Sequence, residues 1–233
     1  MPLLYHKTLS LKGRINLKKF LLIAMLAQVL IFGVASAANE TLPIIYKPIE
    51  WTENRERLIE EYAQEHYGMS ITSIIPQAVV IHWTATSTFE GTYNYFYDEA
   101  FASGIDAGTL NVASHFVVDR DGTIYRLTPE NALNRHAIGY NWCAIGIENV
   151  GGVNGREDLT AAQLQANINL IRYLCEGYPT IKYIFGHYQQ VEARASGLFI
   201  ENVPDYFAEK IDPGEKFMQA LRENLEGDGL IFF

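Results

Sequence analysis

Hydrophobic positions along the chain fall into three rhythms. From Phe20 to Val34 they form an apolar run broken only by Gln28. Two later stretches, Ala78-Val79-Val80-Ile81-His82-Trp83 and Ala144-Ile145-Gly146-Ile147-Glu148-Asn149-Val150, are shorter and rich in β-branched residues. The first lies between Pro76 and the polar Thr84-Ala85-Thr86-Ser87, and Gly151-Gly152 closes the second. Runs of this length between breakers are expected as strands in a sheet interior.

Elsewhere the spacing is helical. Leu58, Ile59, Tyr62 and His66 follow a cap expected at Asn54 and precede a stop at Gly68. Leu164, Ile168, Ile171 and Leu174 follow Thr160, and Phe217, Leu221 and Leu225 follow Asp212-Pro213-Gly214. Another helix is expected over residues 90–103. Ser114-His115-Phe116-Val117-Val118 and Thr123-Ile124-Tyr125-Arg126-Leu127 flank Asp119-Arg120-Asp121-Gly122, which reads as a β-hairpin. Tyr183-Ile184-Phe185-Gly186-His187 is a further strand ending in a histidine. Pro43 and Pro48 make residues 38–50 an extended lead-in. Strands alternating with helices, plus one hairpin, predict an α/β domain: a single mixed central β-sheet flanked by α-helices.

The first rhythm has a different meaning. Lys7, Lys12, Arg14, Lys18 and Lys19 precede the apolar run with no acidic residue, and Ala35-Ser36-Ala37 follows it. Basic, apolar and small-residue regions in this order predict a secretory signal peptide over residues 1–37, cleaved between Ala37 and Ala38. The run is shorter than the roughly 20 residues a spanning helix requires. The chain therefore reads as exported, periplasmic or secreted, with no stable membrane anchor after cleavage. Residues 38–75 form a lead-in and helix, and residues 76–233 form the main domain.

Composition sharpens this picture. At 48% hydrophobic and 19% charged, the 233 residues suit a folded domain. Losing the leader takes the formal charge from −9 down by five, to −14, so the overall field draws in neither nucleic acid nor anionic membrane. Cys143 and Cys175 are the two cysteines. Two are too few for a disulfide framework, and they are expected to be unpaired.

The candidate chemistry begins with His82 and His187, at or near the C-terminal ends of predicted strands, where open α/β sheets place ligands. A histidine at a strand end is more often structural, and Asp212 before Pro213 reads locally as a helix cap. Each feature alone is weak.

The ordered set is specific. Val80-Ile81-His82-Trp83-Thr84-Ala85, Ser114-His115-Phe116-Val117-Val118-Asp119-Arg120-Asp121-Gly122, Arg135-His136-Ala137, Asn141 with Ile145-Gly146-Ile147-Glu148, Phe185-Gly186-His187 and Lys210-Ile211-Asp212-Pro213-Gly214 cover most of residues 76–225. Together they resemble the type 2 class of zinc-dependent N-acetylmuramoyl-L-alanine amidases, relatives of the animal peptidoglycan recognition proteins. The resemblance implies Zn²⁺ held by His82, His187 and Asp212, with Glu148 as the catalytic carboxylate and Lys210 facing the developing oxyanion. It places His136, Trp83 and Asn141 at the substrate and His115 beside the site as packing or support. Peptidoglycan or its muropeptide fragments would be the substrate.

The residue types suit that chemistry. Two imidazoles and one carboxylate leave a fourth zinc position open, as catalytic rather than structural sites do. Amide cleavage needs activated water, a polarised carbonyl and a protonated leaving nitrogen, and a nearby carboxylate can move that proton.

Two features depart from the family. Ser114 stands where some relatives carry a catalytic tyrosine. Those relatives lack an acid at the Glu148 position, so its presence here is the consistent alternative. Residues 188–209 form an aromatic-bearing insert, expected to act as a lid or specificity element. Two other functions compete: a muropeptide-binding protein of the same fold without catalysis, and a zinc hydrolase acting on another amide. The complete ligand set favours the amidase over the binder.

Overall fold

The computed structural model describes residues 42–104 and 106–233. The expected signal peptide lies outside these residues. Among them, no helix is long and apolar enough to cross a membrane.

Seven strands form one mixed sheet, β1 (Ile44–Tyr46), β2 (Ala78–Trp83), β3 (Phe116–Val118), β4 (Ile124–Arg126), β5 (Ala144–Asn149), β6 (Tyr183–Gly186) and β7 (Ile231–Phe232), in the order β1-β4-β3-β5-β2-β6-β7. The β3–β4 hairpin is antiparallel, whereas β2, β5 and β6 pair in parallel at the centre. β1 adds a parallel edge to β4 from residues expected as lead-in.

Alternation along the central strands divides the residues between two faces. Val79, Ile81, Ile145 and Ile147 join Leu170, Ile171 and Leu174 of helix α3 (Ala161–Gly177) in the main core. Burying each such aliphatic side chain stabilises the fold by about 1.5–3 kcal/mol. Ala78, Val80, Ala144 and Phe185 face the other way, into a smaller cluster with Ala137, Tyr140 and Ala193. His82 and Glu148, paired in register at the strand ends, continue this second face. No long helix supplies the partners of that cluster; Ala137 and Tyr140 come from the loop before β5, and Ala193 from the insert.

Local chemistry sets the helix ends. In α1 (Glu53–Tyr67) the cap is Thr52, two residues before the expected Asn54, and Thr52 Oγ1 accepts from Asn54 N at 3.1 Å. Thr160 and Gln163 form a reciprocal capping box on α3. Helix α2 (Phe89–Tyr97) stops well short of residue 103. Its last carbonyls are taken from outside: Arg55 Nη2 donates to Tyr97 O at 2.9 Å, and Asn111 Nδ2 donates to Tyr95 O at 2.8 Å. Helix α4 (Glu215–Asn224) begins at Gly214, with no side-chain cap from that residue. Glu157 from a distant loop accepts from Phe217 N at 3.1 Å instead, leaving Asp212 for another use.

The insert is packed rather than free. Trp142 Nε1 donates to Leu198 O at 3.0 Å, and Ile200 N donates to Gly139 O at 3.1 Å. Gly139 has φ +81, and a Cβ there would lie 2.3 Å from the Phe199 ring, so both backbone conformation and packing demand glycine. Arg135 Nη2 donates to Tyr206 OH at 2.7 Å. Cys143 is buried, Cys175 is half-buried, and both thiols are free, as expected.

Candidate metal centre

His82 is the penultimate residue of β2, and His187 follows directly on β6 as the first residue of a short 3₁₀ turn. Because β2 and β6 are parallel neighbours, the two imidazoles arrive side by side. The third group comes from far along the chain. Tyr188 N donates to Asp212 O at 2.9 Å, which pins the Asp212 backbone beside His187 and turns its carboxylate inward.

His82 Nδ1 lies 3.0 Å from His187 Nδ1 and 3.1 Å from Asp212 Oδ2, and His187 Nδ1 lies 3.2 Å from the same oxygen. All three residues are buried. Zinc bound tetrahedrally at ordinary Zn–N and Zn–O lengths separates its ligand atoms by about 3.3 Å. The triangle therefore has close to the size a tetrahedral ion requires, and its donor set is the nitrogen-and-oxygen set that zinc takes. Among the described residues this is the group of three or more potential ligands that converges within reach of one ion.

The electrostatics fit a cation. Burial, and then the neighbouring His82, push the His187 pKa down to about 4, so the ring is neutral at pH 7. Burial alone would raise the Asp212 carboxyl, but hydrogen bonds from His187 and His82 hold it well below the usual range. One anion and a neutral imidazole thus face a single point.

Glu148 lies next to this triangle on the neighbouring strand, in register with His82. Burial raises its pKa to about 7, with His82 and Lys210 pulling down and Asp212 pushing up. Its Oε2 is buried and has no hydrogen-bond partner among the described residues. Lys210 is half-buried and lines the same cavity, of about 340 Å³, as His82, Trp83, His136, Glu148, His187 and Asp212.

The structure brings seven of the eight sequence-derived site residues to this cavity. Trp83 is a packed wall, its indole lying directly over Gly152, where a Cβ would sit 2.2 Å away. His136 reaches the cavity, yet both its nitrogens are engaged: Nδ1 with His82 Nε2 and Nε2 with Ala144 O, each at 3.1 Å. Asn141 stands apart, bordering a second cavity of about 290 Å³ that shares His136, His187 and Lys210 with the first. Its Oδ1 accepts from His136 N and Ala137 N at 2.9 and 2.6 Å, and its Nδ2 donates to Tyr62 OH at 3.1 Å. All its polar atoms thus shape the loop. His115 supports from beneath: Nε2 donates to Ala132 O at 2.8 Å, and Nδ1 accepts from Gly146 N at 3.0 Å.

Arg135, to which the sequence assigns no role of its own, lines both cavities. Its place beside His136 in the sequence was the available signal. The insert contributes Tyr206, Phe207 and Ala208 to the second cavity.

Comparison with known proteins agrees with this geometry. The endolysin of Enterobacteria phage T3 is 32% identical over 106 residues, covering 44% of this chain and 68% of that protein. The endolysin of Escherichia phage T7 is 36% identical over 77 residues, covering 31% of this chain and 51%, about half, of its own length. The solved structure of the N-acetylmuramoyl-L-alanine amidase LysC from Clostridium intestinale URNW superposes with a TM-score of 0.50 at 22% identity, over 79% of this chain and 97% of that one, which establishes a shared fold. The family model described as N-acetylmuramoyl-L-alanine amidase matches residues 72–215, a span that contains every ligand of the triangle together with Glu148 and Lys210. With the ordered motifs, strands β2 to β6 and the metal triangle all falling inside that match, the chain belongs to the N-acetylmuramoyl-L-alanine amidase family.

Proposed function

We infer that the chain hydrolyses the amide bond between N-acetylmuramic acid and the L-alanine of the stem peptide, in peptidoglycan or its fragments. The observation that carries this reading is the buried His82, His187 and Asp212 triangle with the Glu148 carboxylate beside it in one cavity. Zinc held by the three ligands supplies Lewis acidity, polarising the carbonyl and bringing the acidity of water close to neutral pH.

The protein's own groups do the rest. Glu148 takes the proton from the attacking water and returns it to the departing alanine nitrogen, as a carboxyl with a pKa near neutrality can. A zinc ion held by His82, His187 and Asp212 would oppose the upward push of burial and favour the ionised carboxylate that acts as a base. Lys210 places an ammonium at the cavity wall, where it offsets negative charge growing on the carbonyl oxygen. Trp83 bounds the substrate, and His136 offers it only ring carbons. The second cavity, walled by Phe207 and Ala208 of the insert, supports a part for that segment in choosing substrates. The basic, apolar and small-residue order of residues 1–37 supports export before the enzyme acts.

Mass spectrometry of muropeptides before and after incubation tests the reading. The expected products are an intact stem peptide with a free alanine amine and the sugar bearing a free lactyl carboxylate. Muropeptides left whole, or cut within the peptide or the glycan, would contradict it.

A further inference from the structure

His136 lies in a position that fixes more than its own ring. Its Nε2 is 3.1 Å from Ala144 O, and a carbonyl only accepts, so Nε2 carries a proton. Among the described residues no carboxylate is hydrogen-bonded to the ring, and a second proton on Nδ1 would leave a buried cation uncompensated. Nδ1 therefore presents a lone pair. It faces His82 Nε2 at 3.1 Å, and for that contact to be a hydrogen bond His82 Nε2 must be the donor. With Nε2 committed to His136, His82 presents Nδ1 to the point it shares with His187 Nδ1 and Asp212 Oδ2, and that nitrogen would be the one to meet a metal.

We propose that His136 is the positioning residue that holds His82 in the tautomer and orientation needed to bind metal, through a relay from the Ala144 carbonyl to His136 to His82. The proposal rests on the zinc reading of the triangle, and it assigns His136 to the metal ligand rather than to the substrate.

The surroundings make the relay rigid. Ala144 of β5 is in register with Ala78 of β2, and four residues on, Glu148 is in register with His82, so the relay crosses the strand pair that carries both groups. Between them Gly146 leaves the sheet bare: a Cβ there would lie 2.8 Å from the His136 ring and 2.6 Å from Ser114 Oγ. The His136 backbone is clamped by Asn141, which Tyr62 of α1 holds in turn. A ligand imidazole whose second nitrogen is held this way keeps its lone pair on the metal, and losing such a partner typically costs about 10–100-fold in metal affinity.

The experiment pairs zinc affinity, measured by competition with a chelator, against the tautomer of His82 in zinc-loaded protein, read from long-range ¹H–¹⁵N imidazole spectra. The zinc-loaded parent should show His82 protonated at Nε2 and metal-bound at Nδ1. His136→Leu should weaken zinc binding about 10–100-fold and shift His82 toward mixed tautomers. His136→Asn places an amide oxygen where Nδ1 stood and should recover most of the affinity. His136→Gln places its terminal amide where Nε2 stood, keeps the Ala144 bond and should recover little. If His136→Leu does not fold, the Asn and Gln variants still decide the matter, and equal affinities for the two would overturn the relay. It also falls if folded His136→Leu holds zinc as tightly as the parent, or if His82 in the parent is protonated at Nδ1. A parent that binds no zinc overturns the metal reading and, with it, the relay's part in metal binding.

Discussion

The molecule buries histidine beside carboxylate in two places, and the two differ in kind. His66 Nδ1 lies 2.8 Å from Glu201 Oε1, with side chains only 7% and 5% exposed. Around them are the Tyr62 and Tyr206 rings, with centroids 4.1 and 4.4 Å from His66. One imidazole meets one carboxylate, and the pair ties the insert to α1. At the metal centre, two imidazoles and one carboxylate converge with mutual spacings of 3.0–3.2 Å, and His82 is held from behind by a third imidazole. Burial and residue type are the same in both. What separates a structural pair from a metal site is the number of potential ligand atoms aimed at one point and, at His82, the commitment of the ring's other nitrogen to His136.

Breaking the chemistry while sparing the ligands should give the largest effect. Glu148→Gln is expected to lower turnover on a muropeptide about 100- to 10,000-fold with zinc content unchanged, because it removes the proton carrier and leaves the triangle. Retention of most of the rate at saturating zinc would return Glu148 to a strand-end residue. Asp212→Ala should lower zinc affinity and activity together, since it removes the one anionic ligand. Chelator competition on the variant checks this, and unchanged affinity would remove Asp212 from the site.

The supporting histidine sharpens the contrast through pH. Burial depresses the His115 pKa to about 4, below the roughly 6.5 of an unfolded histidine. Protonation would also cost Nδ1 the lone pair that accepts from Gly146 N. Its contribution is therefore fully present above pH 6.5 and is lost as pH falls toward 4, at most about 3 kcal/mol. Urea unfolding at pH 7 and pH 4.5 should show a smaller pH-dependent loss in His115→Phe than in the parent, although the variant starts less stable. Equal losses would show that His115 does not titrate with folding.

At the structural pair the expected effect is smallest. His66→Phe leaves Glu201 without its partner and should destabilise the fold by about 1–3 kcal/mol in urea unfolding, with zinc affinity unchanged. A matching loss of zinc would mean that the two buried groups are coupled.

Much of this was legible in the residues. The β-branched runs that carry His82 and Glu148 became the central strands, and Thr160 capped its helix as expected. Reading failed where a distant partner decides. The end of α2 depends on Arg55 and Asn111, which take its carbonyls from elsewhere in the chain. Three residues as short as Ile44–Tyr46 become a strand only because β4 offers an edge. Asp212 looks locally like a cap, and only the arrival of Glu157 at that helix frees it. His66 carried no signal, since Glu201 is far away in sequence. For His136 the motif gave the neighbourhood, but the direction of its two nitrogens appears only once Ala144 and His82 are in place.

The central claim is that the buried triangle is a zinc site, and titrating zinc into metal-free protein while counting bound metal by elemental analysis tests it most directly. The account predicts one zinc per chain in the parent and loss of that binding in His187→Ala; a folded parent that takes up no zinc, or a His187→Ala variant that binds it equally well, would contradict the account.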